Sequence, residues 1–291
     1  MIKKTMGHDT VSIGGLSVHL CVDRHIEWAY PDTHKEFRKM SSLVDCRVEV
    51  GLMNGKPNPC NKPCSGRRWC FQHRDSSENK ILSVWKCSED GNLEAILDHQ
   101  LGASVATMRV RPGKVGGNYP LIEPFEQLLW MNLLASRGGI IVHACSAVMN
   151  GKAFLFPGES GCGKSTIASL LKRYSEAIVL SDELTIIRSV GRELRVFGTP
   201  WPSRSGCVSS LEAPLYAVLF PEHGARNTLV KLSDGFATAL LYACACRPVW
   251  LGYMGIEQFQ ASMQLPRWEY VARFSFLPDI SAVDYLKAKF T

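Results

Sequence analysis

Residues Gly158–Thr166 read "GESGCGKST", placed between the apolar run KAFLFP and the amphipathic run IASLLKRY. Gly158, Gly163, Lys164 and Ser165 satisfy the pattern G-x-x-x-x-G-K-[ST]. Glycines at these spacings let consecutive backbone N–H groups point inward and form a concave nest for phosphate oxygens. A helix that begins at the loop adds its unpaired N–H groups and the positive end of its dipole. Lys164 then reaches the outer phosphates, and the Ser165 hydroxyl is placed to ligate Mg²⁺. The loop Gly158, Glu159, Ser160, Gly161, Cys162, Gly163, Lys164, Ser165, Thr166 is therefore the expected nucleotide-binding stretch.

Working outward, a metal-bound triphosphate needs a carboxylate at the end of a neighbouring strand. AIVLSDE supplies Asp182 and Glu183 directly after an apolar run, with Asp182 the expected second Mg²⁺ ligand. Upstream, GIIVHACSAVM reads as a strand, Asn150-Gly151 as a tight turn, and KAFLFPG as a returning strand. That hairpin would bring His143 beside the glycine loop. Strand, loop, helix and strand make an α/β arrangement, with LTIIRSV, GRE and LRVFGTPW suggesting a further hairpin. Ser233 is placed to cap a helix over DGFATALLYACAC.

Together these elements resemble the catalytic domain of the HPr kinase/phosphorylase family, which is related to the phosphoenolpyruvate-carboxykinase-like P-loop proteins. That family carries a strand histidine, a hairpin, a G-[DE]-S-G-x-G-K-S loop, a helix and a strand ending in paired acids. The chain has VHACSAVMNGKAFLFPGESGCGKST and then VLSDE in the same order, with His143 standing 21 residues before Lys164. The resemblance covers roughly residues 121–250. It implies an ATP- and Mg²⁺-dependent serine kinase, with His143, Lys164, Asp182 and Glu183 as catalytic residues. The family's two acids are aspartates. Here they correspond to Asp182-Glu183 if the intervening loop is one residue longer, or to Ser181-Asp182 if it is not; the first keeps two carboxylates. The family's second, glycine- and asparagine-rich signature has no counterpart here, so neither its phosphorolytic back-reaction nor its hexamer is expected, while a homo-oligomer of another kind stays open. Similar kinases without that segment accompany peptide-modifying gene clusters, which points to a peptide or small-protein substrate. The alternative is a nucleotide-gated binding protein or ATPase with little phosphotransfer.

The remainder of the 291-residue chain is less specific. Residues 1–118 read as a smaller β-rich α+β domain, with short Val- and Ile-rich runs such as LSVHLCVD, CRVEVGL, ILSVWKC and VATMRVR, and residues 119–291 as the catalytic domain. The run IEPFEQLLWMNLLASRGG predicts a helix opening the second domain, with Gly138 as its C-cap. A net charge of +6, spread without a basic stripe, gives no reason to expect nucleic acid. The strongly apolar run FATALLYACAC is too short for a bilayer, and MIKKTMGHDTVSIGG lacks the apolar core of a secretory signal, so a cytoplasmic protein without membrane partners is expected. Eleven cysteines in that compartment would be buried thiols or metal ligands. Cys60, Cys64 and Cys70, with His73 nearby, offer a structural Zn²⁺ site of unusual spacing. Cys162 at a helix N-terminus is expected to be a reactive thiol. Arg204 is a candidate for charge at the γ-phosphate, and Trp28, Trp69 and Trp85 for a peptide groove or a core.

Overall fold

A computed structural model of the chain describes residues 7–39, 43–53, 69–76, 79–88, 92–113, 118–203, 206–246 and 268–290. It is mixed α/β, with two large sheets and few helices. The described residues form two compact units, one ending at Ser136 and one beginning at Arg137. No helix among the described residues is long and apolar enough to cross a membrane.

The first unit is built on a sheet whose strands run in the order β1 (Gly7–Ile13), β2 (Leu16–Val22), β3 (Cys46–Leu52), β7 (Val105–Val110), β6 (Leu93–Gln100), β5 (Asn79–Cys87) and β4 (Trp69–Ser76). β3 lies parallel to both its neighbours, and the other pairs are antiparallel. Several strands alternate. In β3, Cys46, Val48 and Val50 are buried while Arg47 and Glu49 are exposed, the two-residue period of a sheet with one wet face. Helix α1 (Phe125–Ala135) packs on the buried side. Its Trp130 Nε1 donates to Ile13 O at 3.1 Å, and its Asn132 meets His99 at 2.8 Å. Buried Glu126 accepts from Tyr119 at 2.8 Å and pairs with buried His34 at 2.9 Å. Those bonds explain a departure from the expected boundary after residue 118. The helix predicted to open the second domain instead closes the first, because its apolar and polar partners lie on the first sheet. The helix also ends earlier than predicted. Ser136 is its C-cap, and Gly138, with φ of 65°, turns the chain into the next strand.

The second unit holds β8 (Gly139–Met149), β9 (Lys152–Pro157), helix α2 (Lys164–Tyr174), β10 (Ile178–Ser181), β11 (Leu184–Val190), β12 (Glu193–Phe197), β13 (Glu212–His223), β14 (Thr228–Lys231), helix α3 (Asp234–Cys244), β15 (Ala245–Cys246), β16 (Tyr270–Phe276) and helix α4 (Ile280–Phe290). Here both faces of the sheet are buried. Phe154 and Phe156 of β9 and Phe274 and Phe276 of β16 face α2 and α4, packing on Ile167, Leu171, Val283 and Leu286. The alternate residues Ala153, Leu155, Val218 and Val271 face α3 at Ala237 and Leu241. This helix–sheet–helix sandwich accounts for continuous apolar runs such as AFLF and AVLF, which a one-sided sheet would not tolerate. β9 runs parallel to β13, and β13 parallel to β16. Ser233 caps α3 as expected, accepting from the Phe236 N–H.

Candidate functional site

The site grows from the hairpin of β8 and β9. Asn150 and Gly151 both adopt positive φ, 50° and 73°, the geometry of the tight turn that suits strand twist. The turn sets Ala144 opposite Pro157, and the Gly158 N–H donates to His143 O at 3.2 Å. His143 is thereby tied to the first residue of the glycine loop.

Two of the loop glycines, Gly158 and Gly163, are crowded by their surroundings. A Cβ on Gly158 would collide with Cys162 Sγ. Gly163 caps α2 with φ of 106°, and a Cβ there would lie 2.6 Å from Phe276 Cζ. Side-chain-free backbone is thus left to line the pocket, as an anion nest demands. Lys164 is buried at the first position of α2, its Nζ donating to Gly158 O and Glu159 O at 2.8 Å each. The ammonium is folded over the loop it would share with a phosphate.

The acidic pair occupies an interruption in the strand opposite β8. Ser181 pairs with Ser146 and Leu184 with His143, so β10 and β11 are two halves of one partner to β8, broken at Asp182 and Glu183. The Ala144 N–H bridges the break by donating to Glu183 O at 3.0 Å. The bend at the break separates the two side chains: Glu183 is partly exposed, with Oε1 2.7 Å from His143 Nε2. Asp182 is fully buried and accepts from the Ser203 N–H at 3.1 Å and from the Ser203 hydroxyl.

His143, Ser160, Gly161, Gly163, Lys164, Ser165, Thr166, Glu183 and His223 together line a cleft of about 210 Å³. The structure therefore brings His143, Lys164, Ser165 and Glu183 to one cavity and leaves Asp182 behind its wall. Asp182 remains electrically close. Burial pushes the Cys145 thiol far up, with Asp182 and Cys207 adding to the rise and Lys164 opposing it. Behind the cleft, Cys246 of β15 is pushed up to about 11 by burial, then by Glu183 and Cys244. His223, which sequence reasoning missed, ends β13 and lies tilted against Phe276, with ring centroids 5.4 Å apart. Its only sequence signal was a polar residue closing the apolar run LYAVLFPEH.

Other expected residues fall elsewhere. Arg204, Cys60 and Cys64 lie outside the described residues. Cys70 is disulfide-bonded, so its sulfur is withheld from the zinc set expected for it. Trp28 is buried in the first unit's core, while Trp69 at the start of β4 is exposed. The chain matches no family model and no curated protein.

Proposed function

We propose that the protein is an ATP-dependent phosphotransferase that delivers the γ-phosphoryl group to a serine hydroxyl of a peptide or small protein, within an HPr kinase-like P-loop domain. The observation that carries the proposal is the 2.7 Å His143–Glu183 pair opening into the same cleft as Lys164 and Ser165. Binding a triphosphate needs a loop and a cation. A carboxylate held by an imidazole across the cleft is the arrangement that proton abstraction needs.

The residues suit the ligand. Backbone amides of Gly161 and Gly163, the N-terminus of α2 and Lys164 supply converging positive charge without competing side chains. At about 210 Å³ the cleft suits the polyphosphate tail and leaves the nucleoside outside it. The Ser165 hydroxyl offers a hard oxygen donor of the kind Mg²⁺ prefers, and Asp182, behind the wall, is the carboxylate not engaged with His143. Mg²⁺, when bound, would neutralise charge on the outer phosphates. In the transfer, the serine proton passes to a Glu183 oxygen as the serine Oγ–phosphorus bond forms. The bond from phosphorus to the β,γ-bridging oxygen breaks, and ADP leaves with those electrons. His143 holds Glu183 in the orientation that accepts the proton. Lys164 balances charge moving to the leaving oxygen.

The second reading, a nucleotide-gated binder, draws support from Asp182, since its bonds to Ser203 leave, among the described residues, a single carboxylate lining the cleft. γ-Labelled ATP, Mg²⁺ and a serine-containing precursor peptide separate the two. Label on the peptide serine is the expected result. Release of free phosphate alone, or tight ATP retention without turnover, would establish the binder instead.

A further inference from the structure

Outside the glycine loop, the first unit carries a second convergence of reactive side chains, on the outer face of its β1–β2 hairpin. Gly14 and Gly15, with φ of 63° and 69°, fold the strands so that His8 faces Cys21 and Thr10 faces His19. On β2 the inward residues Val18, Leu20 and Val22 are buried, and His19 and Cys21 stand on the opposite, accessible face. The ligand atoms of His8, His19 and Cys21 all lie within 4.8 Å of one another.

We infer that His8, His19 and Cys21 form a site for a borderline divalent transition-metal ion, with zinc the physiological occupant and one coordination position open to water or an external ligand. Three geometric facts carry this. First, His8 Nδ1 and His19 Nε2 are 3.3 Å apart. A tetrahedral Zn²⁺ bound at about 2.0–2.1 Å holds two nitrogens roughly 3.3 Å apart, so the imidazoles already stand at coordination spacing. Second, His19 Nδ1 is engaged by the Thr10 hydroxyl at 3.0 Å, and Thr10 is buried. That bond fixes the ring and turns Nε2 toward His8, the usual outer-shell support of a metal-binding histidine. Third, Cys21 is a free thiol on the same face. Two nitrogens and one thiolate form a donor set that suits zinc and excludes the oxygen-seeking Mg²⁺ and Ca²⁺.

Burial, then His8 and Arg47, lower the pKa of His19 against an opposing pull from Asp9, while burial raises the thiol of Cys21, so a bound ion must itself displace the thiol proton. Arg47 and Glu49, beside the site on β3, pair with each other at 2.8 Å. The motif H-x10-H-x-C is inconspicuous in the sequence because the two-glycine turn, rather than spacing along the chain, brings its members together.

The test uses the full chain, freed of metal by chelation, without nucleotide or added thiol, titrated with Co²⁺ alone. One equivalent should bind with a thiolate-to-cobalt charge-transfer band and the intense visible bands of tetrahedral cobalt. Cys21→Ser should abolish the charge-transfer band, and His8→Ala and His19→Ala should each weaken binding at least tenfold. Thr10→Val should weaken it about 10–100-fold while preserving the spectrum. A charge-transfer band that survives Cys21→Ser, or unchanged affinity in both histidine variants, would overturn the proposal. In the unmutated chain, Zn²⁺ alone should slow alkylation of Cys21 at least tenfold, read by peptide mass spectrometry. Equal rates with and without Zn²⁺ would mean that His8 and His19 share only an imidazole–imidazole hydrogen bond.

Discussion

The two sheets solve burial in opposite ways. In the first unit one face of the sheet is wet, so apolar and polar residues alternate and Arg47 and Glu49 stand exposed between Cys46, Val48 and Val50. In the second, α2 and α4 cover one face and α3 the other, and the strands read as uninterrupted apolar runs. The one-sided sheet has surface on which side chains can gather, as His8, His19 and Cys21 do. The two-sided sheet has none, so its chemistry moves to the ends of strands and to the break in one of them. His223 closes β13, the glycine loop follows β9, and Glu183 sits in the gap between β10 and β11.

The largest expected effects come from truncating the core of each unit. Trp130→Ala removes a fully buried ring of the first unit together with its bond to Ile13. Phe276→Ala removes a fully buried ring of the second, directly beneath Gly163. Each should cost about 3–5 kcal/mol in urea denaturation. ATP affinity, measured by calorimetry under native conditions, should fall only for Phe276→Ala, because that ring shapes the loop. An equal loss of affinity in Trp130→Ala would show that the division of labour between the two sheets is wrong.

Next comes the split between the neighbouring acids. Glu183→Gln changes an accessible side chain, so stability should move by less than about 0.5 kcal/mol. Phosphotransfer should nonetheless fall by about 10²–10⁴-fold with ATP affinity retained, the span expected for losing a general base. Asp182→Asn should do the reverse in kind. The new amide brings an N–H₂ group against the Ser203 donors, leaving buried groups unpaired at about 1–3 kcal/mol. A variant set in which Asp182→Asn lowers kcat as far as Glu183→Gln, with stability intact, would return the catalytic role to Asp182.

That split marks where the sequence stopped being legible. The loop, the hairpin before it and the helix after it could be read directly, because glycine spacing, Asn-Gly and apolar runs each have a local physical cause. The domain boundary could not, since α1 belongs with whichever unit its buried Glu126, Trp130 and Asn132 bond to, and His34, Ile13 and His99 among those partners lie 33 to 117 residues away. Nor could the orientation of Asp182 and Glu183. Adjacent carboxylates look equivalent in a sequence, yet the bend between β10 and β11 sends one into the wall and the other into the cleft. His223 escaped notice because it reaches the loop through strand pairing, opposite Phe276 of β16, which lies beneath Gly163.

The smallest predicted effect concerns the turn on which this placement depends. Gly151 has φ of 73° and open space where a Cβ would stand, so Gly151→Ala meets no neighbour and incurs backbone strain alone. The left-handed conformation costs an L-residue about 1–2 kcal/mol, and urea denaturation should show a loss of that size. Because the β8–β9 register is also held by the buried strand interior, the hairpin should keep His143 beside Gly158, and phosphotransfer should persist at nearly the parental rate. A large loss of activity at that modest cost in stability would mean that the turn, rather than the strand pairing, sets the position of the imidazole. The Gly14-Gly15 turn gives the matching case on the other sheet: together with the β1–β2 pairing it sets His8 against His19 and Cys21, and a register slip there would part the three ligands while leaving the glycine loop untouched.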